Sequence, residues 1–344
     1  MVRDITLAEA LDLQKNHSQT LVDVRTPKEF EEATIPGSIN IPIFTNEERA
    51  EVGTLYKQVG KEAAMDHGLA IFSKKLPDFI DEFRKIDAQI TIFCWRGGMR
   101  SKTAMTVLEL MGIRSSRISG GIHTYRQWVI ARLQEPITPK LLVLNGYTGS
   151  GKTKILHKLM EDGCPVIDLE GMAGHRGSIF GQIGVQPNNQ KKFELLVADK
   201  LVKYANEPFI FIEGESKRIG QVHMPELLFK KKEQSPQWII QLPVKVRVEE
   251  ILSEYEPEKQ PELFLEAFAR IRKRIHQPIA AQIQEDLENG RFAQAVEQLL
   301  IHYYDPQYEH SVARFATTGE DVIQAETVQE AYEECLRRYQ ELMK

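Results

Sequence analysis

Short apolar runs alternate with helical patterns along the first third of the chain. Residues 20–25 and 90–93 have the composition of short strands, and residues 63–84 carry apolar side chains at helical spacing. Residues 45–62 are charged, and their apolar positions follow neither the helical nor the strand period, so we predict a loop there. Strands that alternate with helices in this way are typical of a small parallel α/β domain.

A second series of apolar runs follows. The strands that it predicts lie at 141–145, 165–169, 209–215 and 238–242, and the pattern is mainly helical from residue 244 onward. Residues 134–140 contain two prolines and no periodicity, which indicates a domain boundary. We therefore predict an α/β fold of two domains, 1–135 and 136–344, with a parallel sheet and a helical C-terminal extension in the second. Residues 302–308 interrupt the helical pattern, and their aromatic side chains either stack on a base or belong to the core.

One cysteine ends the strand at 90–93 and opens a turn rich in glycine and arginine. The N–H groups of this turn, the dipole of the following helix and two arginines favour the thiolate, which is the nucleophilic form. Cys94, Arg96 and Arg100 are therefore candidate catalytic residues, unless Cys94 is an inert, buried strand-end cysteine. The rest of the expected anion-binding turn is Trp95, Gly97, Gly98, Met99 and Ser101.

The strand at 141–145 is followed by a full match to the phosphate-binding pattern G-x4-G-K-[ST]. In this pattern, backbone N–H groups and the dipole of the next helix face the phosphates. Lys152 supplies a positive charge and Thr153 offers a hydroxyl to a metal ion. The predicted phosphate-binding residues are Gly146, Gly149, Ser150, Gly151, Lys152 and Thr153.

Further candidates lie near the ends of the strands in the second domain. Asp168, Glu213 and Glu215 would orient Mg²⁺, a water or the substrate, or would form solvated strand ends. No firm metal ligand set follows from the sequence. The glycine-rich residues 168–181 form either a flexible surface loop or, as we favour, a lid or substrate-contact loop beside the phosphate site. The candidates for that role are His175 and Arg176, and those for contact with phosphate or RNA are Lys217 and Arg218. The lysines at 230–232 are expected to form a solvated helix face.

Composition narrows the functional classes. The 344 residues, 42% hydrophobic and 27% charged, are enough for a core in each of two domains. A net charge of −5 argues against a uniformly basic nucleic-acid binder, though not against one basic face. Three scattered cysteines suit neither a disulfide framework nor a zinc site. Because no signal peptide or membrane span is evident, we expect a cytoplasmic protein.

The first domain resembles a rhodanese domain. The residues that carry the resemblance are 22–25, 29–30, 35–42 and the Cys94 turn. It implies that Cys94 carries sulfur or a related element and that Asp23 and Arg25 form a buried polar pair. Arg100 comes six residues after Cys94, one later than in common rhodanese loops, a spacing that phosphatases share. The larger turn suggests a larger guest than a bare sulfur atom.

The whole chain resembles the bacterial tRNA 2-selenouridine synthase family. The residues that carry this resemblance are 47–57, 94–101, 146–153, 168–178 and 213–217. It implies that wobble 2-thiouridine of tRNA is alkylated by geranyl diphosphate and that selenium from selenophosphate then displaces the S-geranyl group. On this resemblance, tRNA and the two small molecules are the substrates, no cofactor is tightly bound and no membrane is involved. The requirement for Mg²⁺ and the oligomeric state stay open, and a monomer is compatible with the sequence.

The candidate residues suit this chemistry. Alkylation turns the sulfur into a good leaving group, and the loop at 146–153 is expected to hold the prenyl diphosphate rather than to hydrolyse ATP. The Cys94 turn is expected to hold selenophosphate, with Cys94 taking or guiding selenium as a selenosulfide or a related species. The alternatives are an ATP-dependent tRNA sulfurtransferase with a persulfide on Cys94, a regulatory protein and a phosphatase.

Overall fold

The computed structural model describes residues 3–16, 18–178, 180–181, 183–312 and 320–344. Contacts divide the chain into two compact units, Met1–Arg132 (unit 1) and Leu133–Lys344 (unit 2), against the expected boundary at 135/136. Both units have α/β architecture, which confirms the predicted fold class. No helix in the described part of the chain is long and apolar enough to cross a membrane.

The described residues of unit 1 form a five-stranded parallel sheet in the order β1-β5-β4-β2-β3. Its strands are β1 (Arg3–Ile5), β2 (Gln19–Asp23), β3 (Ile39–Asn40), β4 (Gln89–Phe93) and β5 (Ser115–Ile118). Its helices are α1 (Leu7–Lys15), α2 (Pro27–Glu32), α3 (Asn46–Gln58), α4 (Lys61–Arg84), α5 (Met99–Leu110) and α6 (Gly121–Arg132). Because β4 is the middle strand, the sheet places Cys94 at the centre of the edge where the parallel strands end.

The prediction of a loop at 45–62 is wrong, because this segment contains α3. Thr45 caps the helix by accepting a hydrogen bond from the Glu48 N–H, and the Glu48 carboxylate accepts one from the Thr45 N–H (2.7 Å). No residue of α3 is buried, so the helix lacks the apolar stripe by which sequence patterns identify a helix.

The described residues of unit 2 form a second five-stranded parallel sheet in the order β12-β11-β6-β8-β7. Its strands are β6 (Lys140–Gly146), β7 (Val166–Ile167), β8 (Phe209–Glu213), β11 (Gln237–Gln241) and β12 (Glu320–Gln324), and a separate hairpin pairs β9 (Arg218–Ile219) with β10 (Val222–His223). Because β8 lies beside β6, the end of β8 at Glu213 is adjacent to the phosphate-binding loop.

The helices of unit 2 lie beside this sheet and, from α11 onward, form the predicted helical C-terminal region. They are α7 (Lys152–Glu161), α8 (Leu169–Ala173), α9 (Gln190–Lys203), α10 (Glu226–Glu233), α11 (Val244–Tyr255), α12 (Pro261–Ile271), α13 (Gln277–Glu288), α14 (Phe292–Leu299), α15 (Asp305–Val312) and α16 (Val328–Leu342).

Two predictions for unit 2 are wrong. Residues 302–308 do not interrupt the helical region, since a π-helical turn at Leu300–Tyr304 joins α14 to α15 and buries Tyr303 in the core. The lysines of α10 are not a uniformly solvated face either. Lys232 is buried, with its ammonium 2.5 Å from the Glu233 carboxylate and 5.4 Å from the centroid of the Phe229 ring.

Candidate functional site

Cys94 follows β4 directly and is 3% exposed. Its Sγ lies 3.1 Å from the Ser101 hydroxyl, in the first turn of α5. Gly98 precedes this helix, and no side chain among the described residues caps its N-terminus. The N–H groups of the first turn are therefore available to an anion bound at the Cys94 turn.

The start of α6 holds the Cys94 turn from behind. The N–H groups of Ile122 and His123 donate to the carbonyl oxygens of Cys94 (2.9 Å) and Trp95 (3.0 Å). Gly121 has φ +60°, and a Cβ there would lie 2.2 Å from the Cys94 carbonyl oxygen. Only glycine fits this position, and the Gly-Gly pair at 120–121 was the sequence signal for it.

Arg117 is a second support of the turn that sequence reasoning missed. Its Nη1 donates to the carbonyl oxygen of Gly97 at 2.9 Å, while Asp4 accepts from Nε (2.8 Å) and Nη2 (2.6 Å). The hydrogen bonds with Asp4 raise the pKa of the Arg117 guanidinium, so its charge is fixed beside the turn.

The two arginines of the turn differ in their surroundings. Arg100 donates to both oxygens of Glu29, at 2.6 and 3.2 Å. Burial tends to raise the pKa of Glu29, but the hydrogen bond and charge of Arg100 outweigh it and the pKa lies below its usual value. Arg96 is exposed, and within the described ranges no carboxylate forms an ion pair with it. Arg96 is thus the arginine that is free to meet an incoming anion.

Asp23 and Arg25 form the buried ion pair suggested by the rhodanese resemblance. The Arg25 Nη2 and the Asp23 Oδ2 are 2.6 Å apart, and both side chains are buried. The Arg25 guanidinium also donates to the Ala33 carbonyl oxygen (2.6 Å). The pair therefore ties the end of β2 to the end of α2, and its role is structural.

The phosphate-binding pattern lies between β6 and α7, as its sequence context predicts. Lys152 begins α7, and its Nζ donates to the Gly146 carbonyl oxygen at 3.0 Å. Gly149 has φ +80°, and a Cβ there would lie 2.7 Å from the Arg247 carbonyl oxygen. Gly151 precedes α7 in a left-handed conformation. The buried Ser150 hydroxyl has no hydrogen-bond partner among the described residues.

Arg247 of α11 supports this loop, and no sequence pattern indicates that role. Its Nε donates to the Thr148 carbonyl oxygen (2.9 Å), and its Nη atoms lie 2.6 and 2.9 Å from the Asp305 carboxylate. The guanidinium lies 5.0 Å from the centroid of the Tyr147 ring, and the centroid of the Tyr308 ring lies 4.5 Å from that of Tyr147. Asp305 lies within the segment 302–308, for which the sequence suggested only base stacking or a place in the core.

Hydrogen bonds connect Thr153 to two carboxyl groups, those of Glu170 and Glu213, which we call the carboxyl chain. The Thr153 hydroxyl donates to Glu170 (3.0 Å), and the Glu170 N–H donates to Glu213 (2.8 Å). Burial and the charge of Glu215 raise the pKa of Glu170 to about 8. Burial and the charge of Glu170 raise the pKa of Glu213 well above its usual value. Glu213 is 1% exposed, and its Oε1 has no partner among the described residues.

This arrangement brings Glu213 and Glu215 together with Thr153, whereas Asp168 has another role. The Asp168 carboxylate caps α8 by accepting from the Gly171 N–H (2.7 Å), and it lies 2.9 Å from the His157 Nε2. The residue that links Thr153 to Glu213 is Glu170, which was not a candidate. Over the ranges described, no group of three or more His, Cys, Asp or Glu residues has the geometry of a metal site.

The basic candidates near the loop are held by local partners. Burial lowers the pKa of His175, against the charge of Glu215. Arg176 pairs with Glu254 (3.2 Å), and Lys217 pairs with Glu226 (2.5 Å). Arg218 donates to the Gly220 carbonyl oxygen (3.0 Å). His175 therefore lies near the carboxyl chain, while the described contacts do not join Lys217 or Arg218 to the phosphate-binding loop.

Comparison with known proteins covers both units. The family model described as "tRNA 2-selenouridine synthase AAA domain" matches residues 139–341, and the one described as "Rhodanese-like domain" matches residues 6–127. Relatives named tRNA 2-selenouridine synthase come from Nitrosomonas europaea and Bdellovibrio bacteriovorus, each 32% identical over 86% of this chain and 89% of the relative. A third, from Pseudomonas syringae pv. syringae, is 33% identical over 87% of this chain and 91% of the relative.

Proposed function

Because the chain belongs to the tRNA 2-selenouridine synthase family, we propose that it replaces the sulfur of wobble 2-thiouridine in tRNA by selenium, through S-geranyl-2-thiouridine. One observation carries this proposal beyond the family name. Each unit has its own anion-binding turn, with a cysteine in unit 1 and a phosphate-binding loop in unit 2. Two chemically different anions, selenophosphate and a diphosphate, match two such turns. We place the reaction in the cytoplasm, where the unpaired cysteines stay reduced.

The first step is geranyl transfer at the phosphate-binding loop. The S2 atom of 2-thiouridine attacks C1 of geranyl diphosphate, the C1–O bond breaks, and diphosphate leaves with the electron pair. The N3 proton of the base passes to water, which leaves a neutral S-geranyl nucleoside. Lys152 and the N–H groups of the loop stabilise the charge that develops on the diphosphate.

The residues beside Thr153 are suited to a cation that would accompany the diphosphate. The Thr153 hydroxyl contacts the Glu170 carboxyl, and the Oε1 of the buried Glu213 has no partner among the described residues, which supports a cation site beside the loop. Thr153 and, once it has lost its proton, Glu170 would hold Mg²⁺, which would supply further neutralisation of the diphosphate.

The second step is selenium transfer at the Cys94 turn. The selenium of selenophosphate attacks C2 of the base, the C2–S bond breaks, and geranylthiol leaves after taking up a proton. Water then cleaves the P–Se bond and releases phosphate. This route needs no oxidant, whereas a selenosulfide on Cys94 would need one, because selenium in selenophosphate is already at the selenide level. We therefore assign Cys94 and Arg96 to the binding and orientation of selenophosphate.

The experiment uses the purified full chain and an anticodon stem–loop that contains 2-thiouridine. Geranyl diphosphate should give the S-geranyl product, and later addition of selenophosphate should give 2-selenouridine, both followed by mass spectrometry. Lys152→Ala should slow geranylation at least about 100-fold, because the loop loses its positive charge. Lys154→Ala, which removes a neighbouring lysine that pairs with Glu250, is the matched control. Absence of both products with the wild type would contradict the proposal.

A second candidate, an ATP-dependent tRNA sulfurtransferase, is favoured by the contact of Thr153 with buried carboxyl groups, an arrangement typical of nucleotide hydrolysis. It predicts ATP turnover that depends on Lys152 and 2-thiouridine as the final product. Geranylation without ATP would exclude it.

A further inference from the structure

Unit 1 contains a cleft of about 930 Å³ that the anion-binding turn alone does not explain. α3 and α4 form its walls, and the Cys94 turn closes one end. Its volume lies at the upper end of the range for small-molecule sites. A bare selenophosphate would fill only a small part of it.

The cleft is lined mainly by apolar side chains. Phe44 and Phe72 are buried at its base, whereas Met65 (45% exposed) and Leu69 (65% exposed) present apolar surface from α4. Trp95 and Met99 of the Cys94 turn are exposed to the same space, as is Tyr56 of α3. Large apolar side chains that are exposed together in one concave site indicate a ligand with an apolar part.

The helix α3 supports this interpretation. None of its residues is buried, although an ordinary surface helix is held by an apolar face packed against the core. Val52 packs on the core of unit 1, and Ala50, Val52 and Tyr56 line the cleft. The exposed side chains of Ala50 and Tyr56 therefore leave apolar surface of α3 open to a guest.

Most of the charged residues in the lining are positive. Arg49, Lys57, Lys61 and Arg96 line the cleft, and none of them forms an ion pair with a carboxylate in the described part of the chain. Asp66 is the acidic residue of the lining. This charge is complementary to a ligand that also carries phosphate groups, such as RNA.

From these observations we infer that the cleft binds the geranyl chain of the S-geranyl-2-thiouridine intermediate while that nucleoside is still part of the RNA. The inference rests on the proposed function. The C10 chain lies on Met65, Leu69 and Phe72, the flanking phosphates meet the cations, and the C2–S bond points to Cys94. When selenium attacks C2, the leaving geranylthiol is already in the cleft.

The position of the cleft has a consequence for selectivity. Plain 2-thiouridine carries no apolar group, so it gains nothing from the cleft and is bound only through its phosphates. The alkylated nucleoside gains the burial of its chain, so the Cys94 turn selects the nucleoside that has a good leaving group.

The test measures binding of two fluorescent anticodon stem–loops, one with S-geranyl-2-thiouridine and one with 2-thiouridine, to the full-length protein. We expect the wild type to bind the geranylated stem–loop at least about tenfold more tightly. Met65→Gln/Leu69→Gln keeps both exposed side chains at similar size and should reduce this ratio to about one- to threefold. Leu110→Gln, at an 80% exposed position of α5 outside the cleft, is the matched control and should keep the wild-type ratio.

Selenation of a supplied S-geranyl stem–loop distinguishes a failure of the proposed function from a failure of the cleft assignment. If the wild type does not selenate it, the proposed function fails. If the wild type does, but Met65→Gln/Leu69→Gln matches Leu110→Gln in both the affinity ratio and the selenation rate, only the cleft assignment fails. An equal loss of affinity for free geranyl diphosphate in the double variant would make the cleft a donor site and would also overturn the inference.

Discussion

Glu29 performs two tasks with one carboxylate. It completes the capping box of α2 by accepting from the Thr26 N–H (3.1 Å), and it fixes the Arg100 guanidinium. Arg100 reaches the Cys94 turn from the first turn of α5. We therefore regard Glu29 as a positioning residue for the selenium-transfer site rather than as a catalytic residue.

Glu29→Gln should slow selenium transfer about tenfold, because the neutral amide holds Arg100 less firmly. Glutamine still serves in a capping box, so Tm should change little. Geranylation takes place at the phosphate-binding loop and should be unaffected. The measurement is the rate of each step on a stem–loop substrate, with Glu31→Gln on the same helix as control. Equal slowing of both steps would contradict the positioning role.

The Glu170–Glu213 pair is the most strongly perturbed group of carboxyls in unit 2. With the pKa of Glu170 raised to about 8 by burial and by Glu215, the folded protein keeps a proton at pH 7 that the unfolded chain releases. A raised acid pKa stabilises the fold fully at low pH, and this contribution is lost as pH rises from about 4.3 toward 8.

Glu170→Gln should therefore reduce the fall of Tm between pH 5 and pH 8.5, because glutamine has no proton to release. We expect the difference in Tm between Glu170→Gln and wild type to change by about 2–8 °C over this pH range. Glu207→Gln, at an exposed position of unit 2, should follow the wild type. Thermal scans across the pH range make the measurement, and parallel curves for wild type and Glu170→Gln would show that the pKa of Glu170 is not raised.

Individual functional residues were predictable from sequence where their neighbours in the chain form a motif. Cys94 and Lys152 belong to turns whose local pattern is sufficient. Glu29, Glu170 and Arg247 were missed because each role arises from a contact between residues far apart in sequence, such as Glu29 with Arg100. No local period or spacing records such a contact.

Among the elements, α11 and α15 hold the phosphate-binding loop between them. Arg247 of α11 is buried, donates to the Thr148 carbonyl and pairs with Asp305, the first residue of α15. The loop conformation therefore depends on two helices of the C-terminal region.

Asp305→Asn should weaken geranyl diphosphate binding about tenfold, because Arg247 loses its charged partner and holds the loop less firmly. Selenation of an S-geranyl stem–loop should keep its wild-type rate. Asp321→Asn breaks a different arginine–aspartate pair of unit 2, with Arg338, and serves as control. Calorimetric titration with geranyl diphosphate makes the measurement. An unchanged affinity in Asp305→Asn would refute the dependence of the loop on α15.

Elements with a strong apolar period were predicted well, and those without one were not. β4, β6 and β8 are buried runs, and the structure has them within a residue or two of the predicted positions. α3 was missed because it buries no side chain, and β12 because its five residues are mostly polar around Val322 and Ile323. Pairing with β11 determines β12, whereas α3 begins at a local capping box between Thr45 and Glu48.

For the whole molecule, the association of two anion-binding turns carries more information than either turn. A cysteine turn alone is compatible with sulfur carriers and phosphatases, and a phosphate-binding loop alone with many nucleotide-binding proteins. Their occurrence in one chain matches the two family models, a rhodanese-like domain followed by a tRNA 2-selenouridine synthase AAA domain. The family and the fold class were therefore predictable from sequence, whereas the cleft between α3 and α4 was not, since α3 itself was not predicted.

The most direct measurement is mass spectrometry of tRNA nucleosides from cells that lack this protein, complemented with wild type, Cys94→Ala or Lys152→Ala. We expect wild type to restore 2-selenouridine, Cys94→Ala to accumulate S-geranyl-2-thiouridine, and Lys152→Ala to leave plain 2-thiouridine. If none of the three changes any tRNA nucleoside, or if Cys94→Ala still yields 2-selenouridine, the assignment of the two steps to two turns is contradicted.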